Sequence, residues 1–238
     1  VREVCNDLLV SVVMKQSEKS LRMLVKRLEG IGGGLVFWSA SARLANVLKS
    51  IFLPCFRVEA AVEVLEKFKG GSGKKRKREG DGKIVVLVLE CVDSVLKADA
   101  FGGGGWCQAE EGRRFGLLLK ELGRLLLEGG EEDVGESASR AMVSLAAAGG
   151  GEIMWKPLNH AVLECASFEG GKEVRLRGVK CLKNILEVVG EEYMGLLPEC
   201  LPVLSELLED ENGDVVRLAK ETLKVAEDLS GEDLGEYL

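Results

Sequence analysis

The sequence predicts an all-α fold, an α-solenoid of about five helical hairpins. Three observations carry that expectation. Apolar residues recur at helical spacing along most of the chain, and the breaks between periodic segments are short and rich in glycine. The composition suits helices: aromatics make up 5% and prolines only 4 of 238 residues, whereas a β-sandwich or barrel would use more aromatic and Thr side chains. A segment near the C-terminal end also repeats itself after 41 to 42 residues.

Taken in order, Val4, Leu8 and Val12 put one apolar face on a helix over 1–15. Leu21, Leu24, Val25 and Leu28 do the same over 18–29, and Gly30 with Gly32, Gly33 and Gly34 is expected to stop that helix. A third helix is expected from Ser39 as N-cap, through Leu44, Val47, Leu48 and Ile51, to Pro54. A fourth follows from Pro54 with Phe56, Ala60, Ala61, Leu65 and Phe68. Residues 70–82 (GGSGKKRKREGDG) contain no apolar side chain, so this stretch reads as a flexible basic linker. Helical pattern resumes at Lys83 and runs to Ala98, with a Gly break at 102–105. Further helices are expected over 113–128, 132–147, 153–167, 172–189, 198–209 and 213–229. The domain reading is therefore helical hairpins over 1–69, the linker over 70–82, and a solenoid ending in a capping repeat over 83–238.

The repeat is the most informative feature. Pro157, Leu163, Glu169, Val174, Arg175 and Leu182 match Pro198, Leu204, Asp210, Val216, Arg217 and Leu223. Two helices in about 40–47 residues is the period of HEAT-type repeats, so the hairpins read as HEAT-like. In this reading Pro sits in the first turn of the first helix, where its missing N–H costs nothing. The acid sits in the turn, where it accepts from the free N–H groups of the second helix. The Arg opens the second helix and reaches the acid of its own or a neighbouring turn. Asp210 with Arg217 is the clean copy of this pair, and Glu169 with Arg175 a degraded one.

The stretches WKPLNHAVLE, KEVRLRGVKCL, EEYMGLLPECLPVLSELLEDENGDV and SGEDLGEYL resemble the C-terminal end of a eukaryotic family, the large nucleolar HEAT-repeat proteins associated with a small nucleolar RNA. The resemblance is closest over 153–238. It continues more weakly through KQSEKSLRMLVKRL and ARLANVLKSIFLPCF. The poly-Gly turns and the basic insert at 74–78 depart from the family's pattern. The resemblance implies a non-catalytic scaffold of the small-subunit processome, in the nucleolus, acting in transcription and processing of pre-rRNA. It implies processome proteins, pre-rRNA and small nucleolar RNA as partners, and it carries over no catalytic residues. The chain starts at Val1 and already carries a helical pattern there, so it reads as part of something longer.

Other features narrow the function classes. The single histidine, His160, leaves no multi-histidine metal site and no histidine pair for acid–base work. It has Glu164 and Cys165 nearby but no third group, and reads as a surface or packed side chain. The seven cysteines include no CxxC pair, and read as buried thiols of a reducing compartment. No cofactor, metal or small-molecule substrate is expected. The apolar run Ile84 to Leu89 is too short to span a membrane. Gly70-Gly71-Ser72-Gly73-Lys74-Lys75 resembles a phosphate-binding loop but has Lys75 where Ser or Thr would meet magnesium. Trp155 is expected to fill a gap between repeats, and Trp38 and Trp106 to staple Gly-rich turns onto the core.

Charge is uneven. Residues 1–100 carry 18 Lys and Arg against 12 Asp and Glu, and 101–238 carry 14 against 27. Lys74, Lys75, Arg76, Lys77 and Arg78 form a basic pentamer suited to nuclear localisation or to RNA phosphates. No aromatic is interleaved with them, so base stacking is not expected. The acidic stretch 206–238 reads either as a dock for a basic protein or as the polar face of a cap. The alternative function is a HEAT/armadillo-type adaptor that binds extended peptides in transport or signalling. The five scattered asparagines form no ladder of the kind such grooves use.

Overall fold

The computed structural model describes residues 18–31, 34–68, 81–128, 132–169 and 171–234. Among them there is no strand. The helices are α1 (Glu18–Ile31), α2 (Gly34–Leu48), α3 (Val58–Lys67), α4 (Asp81–Phe101), the single turn α5 (Gly105–Gln108), α6 (Arg113–Glu128), α7 (Glu132–Gly149), α8 (Glu152–Ala166), α9 (Lys172–Val189), α10 (Leu197–Leu208) and α11 (Gly213–Ser230). Short 3₁₀ turns occupy Lys49–Ile51, Leu53–Cys55 and Gly190–Leu196.

These helices pair as five hairpins in two layers. The first helices α3, α6, α8 and α10 pack in succession, and so do the second helices α2, α4, α7, α9 and α11. Each first helix also packs on its own second helix. This is the arrangement of an all-α solenoid of HEAT type. One continuous apolar core runs from Leu21 to Leu234, so helices on both sides of the basic insert share it.

The sequence produces this by repeating one burial register. In the first helices the buried residues fall at spacings of 3, 4 and 3. They are Val58, Ala61, Leu65 and Phe68; Phe115, Leu118, Leu122 and Leu125; Trp155, Leu158, Val162 and Cys165; Leu197, Cys200, Leu204 and Leu207. In the second helices the spacing is 3, 1 and 3. The sets are Ser41, Leu44, Ala45 and Leu48; Val88, Cys91, Val92 and Val95; Ala138, Ala141, Met142 and Leu145; Gly178, Cys181, Leu182 and Ile185; Ala219, Thr222, Leu223 and Ala226. Each set covers one side of about two to three helical turns, the stripe that one packed helix buries. The repeat is thus fivefold in the second helices. It is hidden in the sequence because side chains of different size, from Gly to Met, hold equivalent places.

The register also corrects the sequence alignment by one residue. Val174 is equivalent to Val215, at an offset of 41, and not to Val216. Pro157 is not equivalent to Pro198. It is the sixth residue of α8 and exposed, whereas Pro198 sits in the first turn of α10. A proline that deep removes an internal hydrogen bond, and the helix continues because Leu158, Val162 and Cys165 beyond it are buried.

Element boundaries differ in several places. The first described helix runs through Gly30 to Ile31. Helix α2 begins at Gly34, so Ser39 lies inside it and caps nothing. That early start brings Trp38 into the core, where it meets Phe37 and Phe56 edge-on. Pro54 belongs to a 3₁₀ turn, and α3 starts four residues later at Val58. Helix α4 begins at Asp81, inside the span read as linker. The helix expected over 1–15 lies outside the described residues.

Candidate interaction surfaces

Arg175 is the best-held of the charged residues singled out in the sequence. Its guanidinium lies against Asp210 of the next hairpin's turn, with Nε 2.7 Å from Oδ2 and Nη2 donating to Oδ1 at 3.1 Å. It also donates to the Phe168 carbonyl just past α8, at 3.3 Å. Asp210 accepts from the Asn212 backbone N–H at 2.8 Å, and Asn212 in turn caps α11 by accepting from Asp214 and Val215 N–H. Burial raises the Asp210 pKa, but the Asn212 N–H and the Arg175 guanidinium outweigh it and hold the carboxyl below its ordinary value. The structure therefore joins Asp210 to Arg175 of the preceding hairpin. Arg217 meets Asp214 and Glu221 on its own helix instead, and Glu169 is exposed in its turn.

Two further arginines play a similar part. Arg124 on α6 donates to the carbonyls of Leu65 at 2.7 Å and Phe68 at 3.0 Å, where α3 ends. Arg177 on α9 donates to the Leu126 carbonyl of α6 at 2.6 Å. A cation there satisfies carbonyls that the helix leaves free and meets the negative end of its dipole. The composition gave no signal for these roles, because nothing marks these arginines out from the other basic residues.

Polar links join successive second helices. Ser144 donates to Asp93 at 2.6 Å, Lys180 pairs with Glu136 at 2.9 Å, and Lys183 pairs with Glu221 at 2.8 Å. The last second helix differs from the others on the side where the next one would pack. Leu89, Ser139 and Val179 are buried at equivalent places, but α11 puts an exposed Lys220 there, flanked by exposed Arg217 and Lys224.

Among the described residues, the most exposed apolar side chains lie in or beside the turns that join successive hairpins. Phe101 is 81% and Ile153 91% exposed, and Ile51 and Val188 lie at corresponding turns. Lys49 sits over the Phe101 ring at 4.7 Å. The Gly run at 102–105 makes its turn through Gly104, at φ 75°, whose missing Cβ would strike the Ala148 carbonyl and Gln108. Asp99 is buried beneath this turn and accepts from the Trp106 and Cys107 backbone N–H groups at 2.9 and 2.7 Å. Burial raises its pKa against the opposing pull of those N–H groups and Arg114. Trp106 packs against Phe56 and under Arg114, tying the turn to the α3 side of the core.

One buried polar cluster had no counterpart in the sequence reading. Asn159 is fully buried in α8. Its Oδ1 accepts from the Tyr193 hydroxyl at 3.1 Å and the Cys200 thiol at 3.3 Å, and its Nδ2 donates to Glu199 at 3.3 Å. Tyr193, from the 3₁₀ turn, also packs on Trp155, ring centroids 5.7 Å apart. Trp155 donates to the Ala146 carbonyl at 2.8 Å, so it bridges neighbouring hairpins. Burial pushes the Tyr193 phenol up and the thiols of Cys107, Cys165, Cys181 and Cys200 up to about 12. His160 is exposed. Among the described residues no three His, Cys, Asp or Glu side chains gather as a metal-ligand set, and no helix is long and apolar enough to cross a membrane. The basic pentamer, Lys74 to Arg78, lies outside the described residues.

No protein-family model matches the chain. It is 29% identical over 240 residues, 88% of its length, to an uncharacterised protein of Arabidopsis thaliana. It is 27% identical over 245 residues, 96% of its length, to the HEAT repeat-containing protein 1 homolog of Drosophila melanogaster. It is 36% identical over 121 residues, 50% of its length, to the U3 small nucleolar RNA-associated protein 10 of Phaeosphaeria nodorum. These matches take up 10%, 11% and 7% of the respective relatives, so the chain spans about a tenth of their length.

Proposed function

Because this chain is homologous to the HEAT repeat-containing and U3 small nucleolar RNA-associated proteins, we propose that it is a non-catalytic scaffold segment of a nucleolar ribonucleoprotein assembly. In this reading it belongs to the small-subunit processome and acts in pre-rRNA transcription and processing. The observation that carries it is the fivefold burial register, in a chain whose relatives bear those names. A solenoid of this kind works by geometry: each hairpin adds surface, and affinity is spread over many weak contacts. The partners are processome proteins, with pre-rRNA and small nucleolar RNA held directly or through them.

Lys74, Lys75, Arg76, Lys77 and Arg78 serve here as a nuclear-localisation signal or as a sequence-blind grip on RNA phosphate. The exposed Lys220 face of α11 supports a capping role for the last hairpin, since a further second helix would have to bury those charges.

The test is a pull-down of the tagged full-length protein from nuclear extract, with and without ribonuclease. Recovery of pre-rRNA, U3 RNA and processome proteins is expected. Proteins that remain after ribonuclease are held by protein faces. Recovery of transport receptors or cytosolic cargo with no rRNA precursor overturns the reading in favour of a peptide adaptor.

A further inference from the structure

The side of α11 where a further second helix would pack forms a shallow open groove of about 460 Å³. Gly213, Val216, Arg217, Lys220, Glu221 and Lys224 line it. Arg217, Lys220 and Lys224 are exposed and stand at i, i+3 and i+7, one stripe of a helix. The carboxylate in the lining is already engaged: Glu221 meets Lys183 of α9 at 2.8 Å and Arg217 at 3.1 Å. Arg217 also meets Asp214. Further along α11, Glu227 accepts from the Leu234 backbone N–H, and Asp228 is exposed. Among the described residues neither Lys220 nor Lys224 has an ion-pair partner. The two lie one turn apart, so they repel each other.

One hairpin earlier the same row is covered, and what covers it is acidic. The burial register sets α9 and α11 41 residues apart, as Gly178 and Ala219 show. Val216 therefore takes the place of Arg175, Lys220 that of Val179 and Lys224 that of Lys183. Arg175 reaches Asp210 and Lys183 reaches Glu221, both carboxylates of the next hairpin. Val179, between them in the row, is buried. Lys183 holds the Glu221 carboxyl below its ordinary pKa. On α11 the lysine of this row recurs as Lys224, and a second one, Lys220, replaces the buried Val179.

We propose that this face docks a helix of another protein that carries Asp or Glu one turn apart, at i and i+4, opposite Lys220 and Lys224. The docked carboxylates take the part that Glu221 takes toward Lys183. The capping role of the last hairpin is consistent with this. An apolar second helix would bury the Lys220 ammonium without a partner, which is costly, whereas an acidic helix brings the partner with it. Val216, half-buried beside the lysines, offers the incoming helix an apolar contact. A nucleic-acid strand suits the face less well. It carries a charge at every phosphate and would run past Asp214, Glu221 and Asp228, while a helix places its acids only at the turns that face the lysines. The inference rests on the internal repeat and holds whether or not the processome reading does.

The experiment is fluorescence anisotropy on the full 238-residue chain at low ionic strength. The labelled probe is a peptide of four Glu-Ala-Ala-Leu units, a strong helix former with a carboxylate at every fourth residue. Saturable binding is expected. It should weaken about tenfold when Gln replaces every Glu of the probe, and again when salt screens the pairs. Lys220→Glu with Lys224→Glu weakens it about tenfold or more, and Lys220→Arg with Lys224→Arg retains it. Both pairs are exposed, and circular dichroism checks that each variant keeps its helix content. Lys67→Glu with Lys120→Glu changes the net charge equally at exposed sites on other helices and leaves binding unchanged. Absence of saturable binding, equal binding of the Gln probe, or an equal loss in the Lys67 and Lys120 variant overturns the proposal. Tighter binding of a labelled oligouridylate of the same length gives the face to nucleic acid and overturns it. Dimerisation of the chain that Lys220→Glu with Lys224→Glu abolishes gives it to a second copy and likewise overturns it.

Discussion

Arg175 and Asp210 join two successive hairpins through one pair of side chains. The carboxylate is 8% and the guanidinium 18% exposed, so the pair is shielded from most of the solvent screening that weakens surface ion pairs. The Asp210 pKa lies below its ordinary 3.8 in the folded chain. Its contribution to stability is therefore fully present above the unfolded carboxylate value and is lost as pH falls through the folded one. Asp210→Asn should cost about 1–3 kcal/mol at neutral pH, because Arg175 is left half-satisfied. It should also flatten the acid limb of the stability curve. Urea unfolding followed from pH 7 to pH 3 checks both; equal loss at every pH would mean that the carboxylate charge plays no part.

At the scale of elements, the first place of the second-helix register is held mostly by small residues. Ser41, Ala138, Gly178 and Ala219 hold that place, with Val88 the larger exception. At Gly178 an added Cβ would run into the backbone of Cys165 and Ala166 at the end of α8, so the helices would have to separate. Gly178→Ala is ordinarily favourable in a helix. Here it should destabilise by about 1–3 kcal/mol through overpacking. The same change at Gly116, which faces open space in α6, should be neutral or stabilising by up to about 1 kcal/mol. A thermal melt of the two variants side by side decides the matter, and equal melting points would contradict the packing argument.

At the scale of the whole molecule, a single core without a break makes the hairpins stand or fall with their neighbours. The thiols report on this. Cys55, Cys91, Cys107, Cys165, Cys181 and Cys200 are all buried, and burial holds Cys107, Cys165, Cys181 and Cys200 near pKa 12, where almost no thiolate exists at neutral pH. Their alkylation at pH 8 should therefore follow unfolding, slow in buffer and fast above the urea midpoint. Mass spectrometry after a short iodoacetamide pulse reads each site separately. Rapid labelling of Cys181 in buffer alone would show that the second-helix layer opens independently.

The all-helical class, the hairpin count and the HEAT period were legible in the sequence because helical periodicity and Gly-rich breaks are local signals, carried by residues a few places apart. Helices α6 and α9 matched their expected spans to the residue, since both have strong amphipathic patterns and clear breaks. The register of the repeat was legible only to within one residue, because Val215 and Val216 are chemically equal and only burial tells them apart. The partner of Asp210, the arginines that close neighbouring helices and the Asn159–Tyr193 cluster were decided by the tertiary structure. Each joins residues about 30 to 60 positions apart, and the distance and burial between such residues come from how the hairpins stack, which no local pattern encodes.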